Sequence, residues 1–204
     1  MGLADYEANL MPNQSCPCCG SNTMSTKQAE YNVEHFGVVL MSTTTCQECG
    51  YKHSDVISLE KREPLLVKAK ISTVADLNIK VIKSATATIT IPEFGATITP
   101  GTDGEGFVTN VEGVLRKVED TLNFMLRSAD EKRLRKGQRI LKRLQLSRKS
   151  KPCFTIIIED PLGNSGLVSA NQSKVRKRRL TDAELRKVKF GQYALDSTGA
   201  GRVN

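Results

Sequence analysis

Cys16-Pro17-Cys18-Cys19-Gly20 and Cys46-Gln47-Glu48-Cys49-Gly50, with 26 residues between Cys19 and Cys46, decide the reading of this chain. Two residues between paired cysteines let the backbone curl until both sulfurs face one point. The glycine after the second cysteine suits the φ > 0 turn that closes such a knuckle. Four thiolates in two matched knuckles are the ligand set of a tetrahedral structural zinc, at Zn–S distances of about 2.3 Å. The interval between the pairs accommodates a β-hairpin and loop whose ends the metal ties together. Residues 13–60 are therefore read as a zinc ribbon holding one Zn2+ through Cys16, Cys19, Cys46 and Cys49. Cys18 is also within reach of a metal at this spacing, but only Cys19 carries the following glycine that mirrors Gly50, so Cys18 is read as a spare thiol. His35 and His53 are solitary imidazoles and are left out of the site. Four sulfurs leave no open position for water or substrate, which points to a structural metal.

Apart from Cys153, the cysteines are confined to this one segment, there is no N-terminal apolar region with a cleavage site, and no run of about 18 apolar residues occurs. A secreted disulfide scaffold and a membrane span are thereby disfavoured, and a cytoplasmic location is expected. The formal charge is +8, and zinc on four thiolates would bring it to about +6. Residues 1–100 hold 8 Lys and Arg against 10 Asp and Glu, whereas residues 101–204 hold 22 against 12, so all of the positive excess lies in the second half. An acidic protein surface or RNA would be drawn there, to residues 132–151 and 174–179. Trp is absent and aromatics are only 5%, so any core must be built mainly from Ile, Val, Leu and Ala.

Residues 1–12 form a short polar lead, expected to be flexible. Phe36–Met41 and Tyr51–Leu59 suit two strands that bring the knuckles together. Beyond Pro64, strand signals run through Leu65–Thr73, Ile79–Lys83 and Ser84–Ile91, the last with Thr86, Thr88 and Thr90 alternating with Ala85, Ala87, Ile89 and Ile91. Gly95–Thr99 offers another short strand, and Pro100–Gly106 a turn-rich loop. The apolar period then changes to 3.6, and the pattern predicts two helices opened by capping boxes at Thr109–Glu112 and Ser128–Glu131. Cys153–Glu159 returns to strand, with Cys153 read as a small buried hydrophobe. The helical hairpin at about 110–150 thus interrupts one β domain spanning 61–170. Residues 171–204 are read as a basic tail, in which Thr181–Glu184 caps a short helix.

The paired Cys16-x-x-Cys19-Gly and Cys46-x-x-Cys49-Gly-Tyr51 motifs, Pro100-Gly-Thr leading into Thr109-Asn-Val-Glu-Gly-Val-Leu115, and Asp160-Pro-Leu-Gly-Asn-Ser165 together resemble the ZPR zinc-finger family, over roughly residues 14–170. The resemblance is to the archaeal form with one zinc finger and one β domain; eukaryotic members carry the pair twice. It implies a mainly β fold, in which the N-terminal zinc ribbon precedes a double-stranded β-helix-like domain carrying the helical hairpin. It also implies a protein partner, translation elongation factor 1 alpha, whose folding the eukaryotic relatives assist. In such a role Phe36 and Val38 could meet a client, although ribbon core is their simpler reading.

Catalysis is not expected. No P-loop, dinucleotide fingerprint, nucleophile elbow or H-E-x-x-H is present, and two isolated histidines offer little for proton transfer. RNA binding through the basic half is the alternative to protein binding, but no Tyr or Phe interleaves with residues 174–179 to stack on bases.

Overall fold

The structure is a computed structural model and describes residues 9–33, 36–59, 62–100 and 105–187. The N-terminal part is a four-stranded antiparallel sheet in the order β1 (Asn9–Gln14), β2 (Met24–Val33), β3 (Gly37–Cys46) and β4 (Lys52–Ser58). β2 and β3 pair along their full lengths, with Met24 opposite Cys46 and Val33 opposite Gly37. The lead expected to be flexible through residue 12 is corrected here, because β1 begins at Asn9 and pairs Leu10 with Lys27. An edge strand is held by its backbone ladder, so β1 forms without the apolar alternation that would have revealed it. Its pairing with β2 is irregular between Met11 and Gln14, where Asn13 takes a φ of 59°.

The second part begins with β5 (Leu65–Ile71), a 3-10 turn at Val74–Asn78, β6 (Lys80–Lys83), β7 (Thr88–Ile91), β8 (Ala96–Ile98) and β9 (Phe107–Asn110). The hairpin α1 (Val111–Leu126) and α2 (Glu131–Lys149) follows, then β10 (Phe154–Asp160), β11 (Gly166–Val168), β12 (Val175–Arg179) and α3 (Asp182–Leu185). These strands form a five-stranded sheet in the order β12-β5-β10-β7-β8 and a three-stranded sheet in the order β11-β6-β9. Alternate residues of β5, β7 and β10 (Val67, Ala69, Ile71, Ile89, Ile91, Phe154, Ile156, Ile158) meet Val81 and Leu167 in one core. Val111, Val114 and Leu115 of α1 and Leu144 of α2 close it. The fold is therefore mainly β with an inserted helical hairpin, as expected. Gly137 lets the two helices approach, since a Cβ there would lie 2.4 Å from the side chain of Leu126.

Several local expectations are corrected. The N-cap of α1 is Asn110, whose Oδ1 accepts from Gly113 N at 2.8 Å, because Thr109 still pairs with Val81 in β9. The N-cap of α2 is Asp130, accepting from Arg133 N at 2.8 Å, in place of Ser128. The alternating run Ser84–Ile91 becomes strand only from Thr88. Its first residues turn so that the hydroxyls of Ser84 and Thr86 donate to the buried carboxylate of Asp160, each at 2.9 Å. Cys153 is exposed, just before β10 begins. The β domain does not end at 170. β12 pairs with β5 from Val175↔Ala69 to Arg179↔Leu65, so the basic run is an edge strand whose backbone pairs while its long cationic side chains stay in solvent. Thr181 and Glu184 do form a capping box on α3, and residues 188–204 of the expected tail lie outside the described residues.

The two parts share a small core of their own. Val33, Phe36, Val39 and Val56 of the N-terminal sheet pack with Ile82 of β6 and Val168 of β11. The ring of Phe36 occupies the space beside Gly166, where a Cβ would fall 2.4 Å from it, and the guanidinium of Arg62 covers the ring 4.2 Å from its centroid. Two backbone amides lock the joint: Gly106 N donates to the backbone oxygen of Ser54 at 2.7 Å, and Ala85 N donates to the side-chain Oδ1 of Asp55 at 2.8 Å. Gly106 is required at this crossing, since a Cβ would lie 2.5 Å from the Val56 amide nitrogen.

Candidate metal centre

The two knuckles are built alike. In the first, Gly20 N donates to Cys16 O at 2.9 Å and Cys16 N to Ser21 O at 2.8 Å. In the second, Gly50 N donates to Cys46 O at 3.1 Å and Cys46 N to Tyr51 O at 2.8 Å. Gly20 and Gly50 take φ of 72° and 73°, the left-handed turn that glycine enters freely. The strands then fix where the knuckles meet: β3 ends on Cys46, and β2 begins at Met24 opposite it.

This arrangement brings the sulfurs of Cys16, Cys19, Cys46 and Cys49 within 4.8 Å of one another. Across the knuckles, Cys16 Sγ lies 3.6 Å from Cys49 Sγ, and Cys19 Sγ lies 3.7 Å from Cys46 Sγ. A disulfide would need about 2.05 Å, so these are thiols. A tetrahedron of sulfurs about 2.3 Å from a central zinc has edges of about 3.8 Å, and the two contacts match that edge. Donor type, number and spacing all fit one structural zinc ion. Cys18 is exposed and outside the cluster. His53 lies on β4 opposite Thr44, and His35 is outside the described residues.

Two further residues support the sulfurs. The hydroxyl of Ser21 lies 3.2 Å from Cys19 Sγ and 3.5 Å from Cys46 Sγ, and that of Thr23 lies 3.5 Å from Cys46 Sγ. Sequence reasoning missed both, since nothing marks a serine or threonine beside a knuckle as a sulfur donor until the two knuckles converge. The Cys49 amide, followed by these two hydroxyls, brings the Cys46 thiol down to about 5. The hydroxyl and amide of Ser21 lower that of Cys19. At Cys49 the Tyr51 amide favours the thiolate, but desolvation and the sulfurs of Cys19, Cys16 and Cys46 outweigh it and push the thiol up to about 12. The cluster thus ionises in part by itself, and the charge that opposes the last proton loss is what a divalent cation neutralises.

Comparison with known proteins follows the same division of the chain. The ZPR1 zinc-finger domain matches residues 10–64, and the ZPR1 jelly-roll domain matches residues 75–190. The chain belongs to the ZPR1 family. A ZPR1-like protein of Pyrococcus horikoshii is 39% identical, over 87% of this chain and 81% of that protein. One of Methanocaldococcus jannaschii is 37% identical, over 89% and 91%. The zinc finger chaperone of Schizosaccharomyces pombe is 32% identical over 75% of this chain but only 34% of its own length. Within the sequence given, one zinc-finger match is followed by one jelly-roll match, an extent similar to that of the two archaeal relatives. Among the described residues no helix is long and apolar enough to cross a membrane.

Phe36, one of the two residues considered for client contact, is buried in the joint with the jelly roll, and Val38 is half-buried. Among the described residues, the large hydrophobic side chains that the ribbon leaves exposed include Leu10, Tyr31, Ile57 and Leu59. Of the two basic stretches, residues 174–179 are partly neutralised within the chain: Lys174 pairs with Asp76, Arg178 with Glu184 and Arg179 with Glu63. On α2, Lys132, Lys136, Arg139 and Lys142 stay exposed.

Proposed function

We propose that this chain is a zinc-stabilised protein-binding factor that engages the translation elongation GTPase of the elongation factor 1 alpha type and assists its folding in the cytoplasm. In this reading Cys16, Cys19, Cys46 and Cys49 hold one structural Zn2+, and the protein acts by binding, not catalysis. The observation that carries it is the likeness, over 75% of this chain, to a protein named a zinc finger chaperone. The ribbon's firm seat on the jelly roll supports it further, because the exposed Leu10, Ile57 and Leu59 are presented on a preformed surface.

Zinc-loaded protein should retain purified elongation factor in a pull-down at low salt and raise the yield of refolded factor, and the Cys46→Ser variant should do neither. Absence of capture by the zinc-loaded protein would overturn the proposal. The exposed cations of α2 favour a second reading, attachment to RNA. In that case affinity for an unstructured RNA would fall steeply as salt is raised, in proportion to the phosphates neutralised, and ribosomal RNA would replace the elongation factor in material captured on the native protein.

A further inference from the structure

Among the described residues, the two sheets of the jelly roll have edge strands, β8 and β9, that both contribute residues to one cleft. Among the described residues β8 pairs only with β7, and β9 only with β6. Between them and the helical hairpin lies an open cleft of about 980 Å³. Ala96, Thr97, Ile98 and Thr99 all line it. Consecutive residues of a strand point to opposite faces, so lining by the whole run means that the cleft meets the edge of β8, with its backbone groups, as well as a face. Phe94, Phe107, Val118, Leu122 and Ile140 supply apolar walls.

Lys83, 1% exposed, also lines this cleft. Its ammonium donates to Ser84 O at 3.0 Å and Glu105 O at 3.2 Å, and the third of its donors has no acceptor among the described residues. The ammonium of Lys117 lies 4.9 Å from the centroid of the Phe107 ring and that of Lys83 5.8 Å from the same point. Neither is ion-paired with a described carboxylate. Glu105 and Asp120 line the cleft as well, so its attraction for an anion is local to the two ammoniums beside Phe107 and not a general positive field. Asp55 and Asp160 act on Lys83 from farther off, yet burial dominates and brings the amine down to about 8.

We propose that this cleft takes an extended peptide segment, added as a strand along the free edge of β8, with apolar side chains in the cleft and a carboxylate received by Lys83 and Lys117. The backbone edge supplies the affinity of strand addition, the apolar walls select alternate side chains, and the two ammoniums set the polarity of the segment. The carboxylate is that of a chain terminus or of an acidic side chain.

The test uses zinc-loaded full-length protein and fluorescein-labelled hexapeptides of alternating threonine and Val, Ile, Leu or Phe. Each is made with a free C-terminus, with an amidated C-terminus, and amidated with a terminal Glu. Fluorescence polarisation should show binding by carboxylate-bearing members and at least tenfold weaker binding by their amidated counterparts. Lys83→Met should abolish that difference, and Lys117→Met should reduce it. Hydrogen exchange should slow at the amides of Ala96–Ile98 when peptide is bound. Equal preference between free and amidated termini with a Glu-bearing peptide bound best would assign the carboxylate to a side chain. Absence of binding across the set, binding unaffected by Lys83→Met, or protection on α2 in place of β8 would overturn the proposal. It does not depend on the elongation factor: capture of the factor undiminished by Lys83→Met would leave the proposed function standing whatever the peptides do.

Discussion

Truncating Phe36 to alanine tests whether the ribbon is seated on the jelly roll by one packed side chain. The ring is 9% exposed, fills the space over Gly166 and carries Arg62 on its outer face. Removing a buried phenylalanine costs about 3–5 kcal/mol, and loss of the guanidinium contact adds about 0.5–1 kcal/mol. Phe36→Ala should therefore lower the stability of the folded chain by about 4 kcal/mol. Gly166→Ala attacks the same contact from the other side, placing a methyl group 2.4 Å from the ring, and overpacking of this kind costs about 1–3 kcal/mol. The two defects relieve each other, because the cavity left by Phe36→Ala accepts the new methyl. The double variant should be no less stable than Phe36→Ala alone, a coupling of the sort seen between residues in contact. Urea unfolding followed by circular dichroism, with zinc saturating throughout, measures all four species. Additive costs in the double variant, or a cost below about 1 kcal/mol for Phe36→Ala, would refute this account of the joint.

Cys46→Ser removes one sulfur of four and should abolish the charge-transfer absorption of the cobalt-substituted protein, and chelation of zinc from the unaltered chain should unfold the ribbon, since structural zinc contributes about 10 kcal/mol or more to such domains. For Asp76 burial alone would raise the carboxyl, but the Lys174 ammonium and the amides of Ser72 and Thr73 outweigh it and hold it well below the usual carboxylate range. A depressed folded value stabilises above the unfolded value of about 3.9 and is lost as pH falls through and below it. Asp76→Asn should accordingly cost about 3 kcal/mol near neutrality, a gap that closes progressively in urea titrations below pH about 4. For Lys83 the sign is reversed. An amine brought down to about 8 in the folded state carries a penalty that is complete below that pH and relieved as pH rises toward the unfolded 10.5. Lys83→Met should thus be more stable than the parent by up to about 3 kcal/mol at pH 7, with the advantage shrinking between pH 8 and 10.5.

The metal centre was legible because its chemistry is local. A knuckle needs two cysteines and a glycine at fixed offsets, and Gly20 and Gly50 take nearly equal positive φ. Convergence of the two knuckles follows from a β2–β3 hairpin that the 26-residue interval only allowed. The helical hairpin was legible for a similar reason: Val111, Val114 and Leu115 mark a 3.6-residue stripe, and they are the residues α1 buries. Edges were not legible. β1 and β12 are held by backbone ladders with few buried side chains, so neither shows the alternation that identifies a strand. The caps of α1 and α2 were misplaced because a threonine or serine with a glutamate three residues on competes with a nearer Asn110 or Asp130, and only backbone geometry chooses between them. Phe36 is buried, as its core reading implies, but its seat against the second domain was not legible, since its partner Gly166 lies 130 positions away and a glycine carries no apolar signal.

The basic β12 also bears on how copies of this protein avoid one another in a crowded cell. A sheet of five strands has two rims, and each exposes unpaired backbone groups able to template growth by further chains. One rim carries Arg176 and Lys177, which make no ion pair among the described residues, beside Arg178 and Arg179, which pair with Glu184 and Glu63. A second copy approaching it in register would still press cation against cation at Arg176 and Lys177, a deterrent to stacking into fibrils. The opposite rim, at β8, is only three residues long and carries no charged side chain. Self-association should therefore be blocked by repulsion at one end of the sheet and limited by brevity at the other. High salt, which screens charge, would weaken only the first of these safeguards.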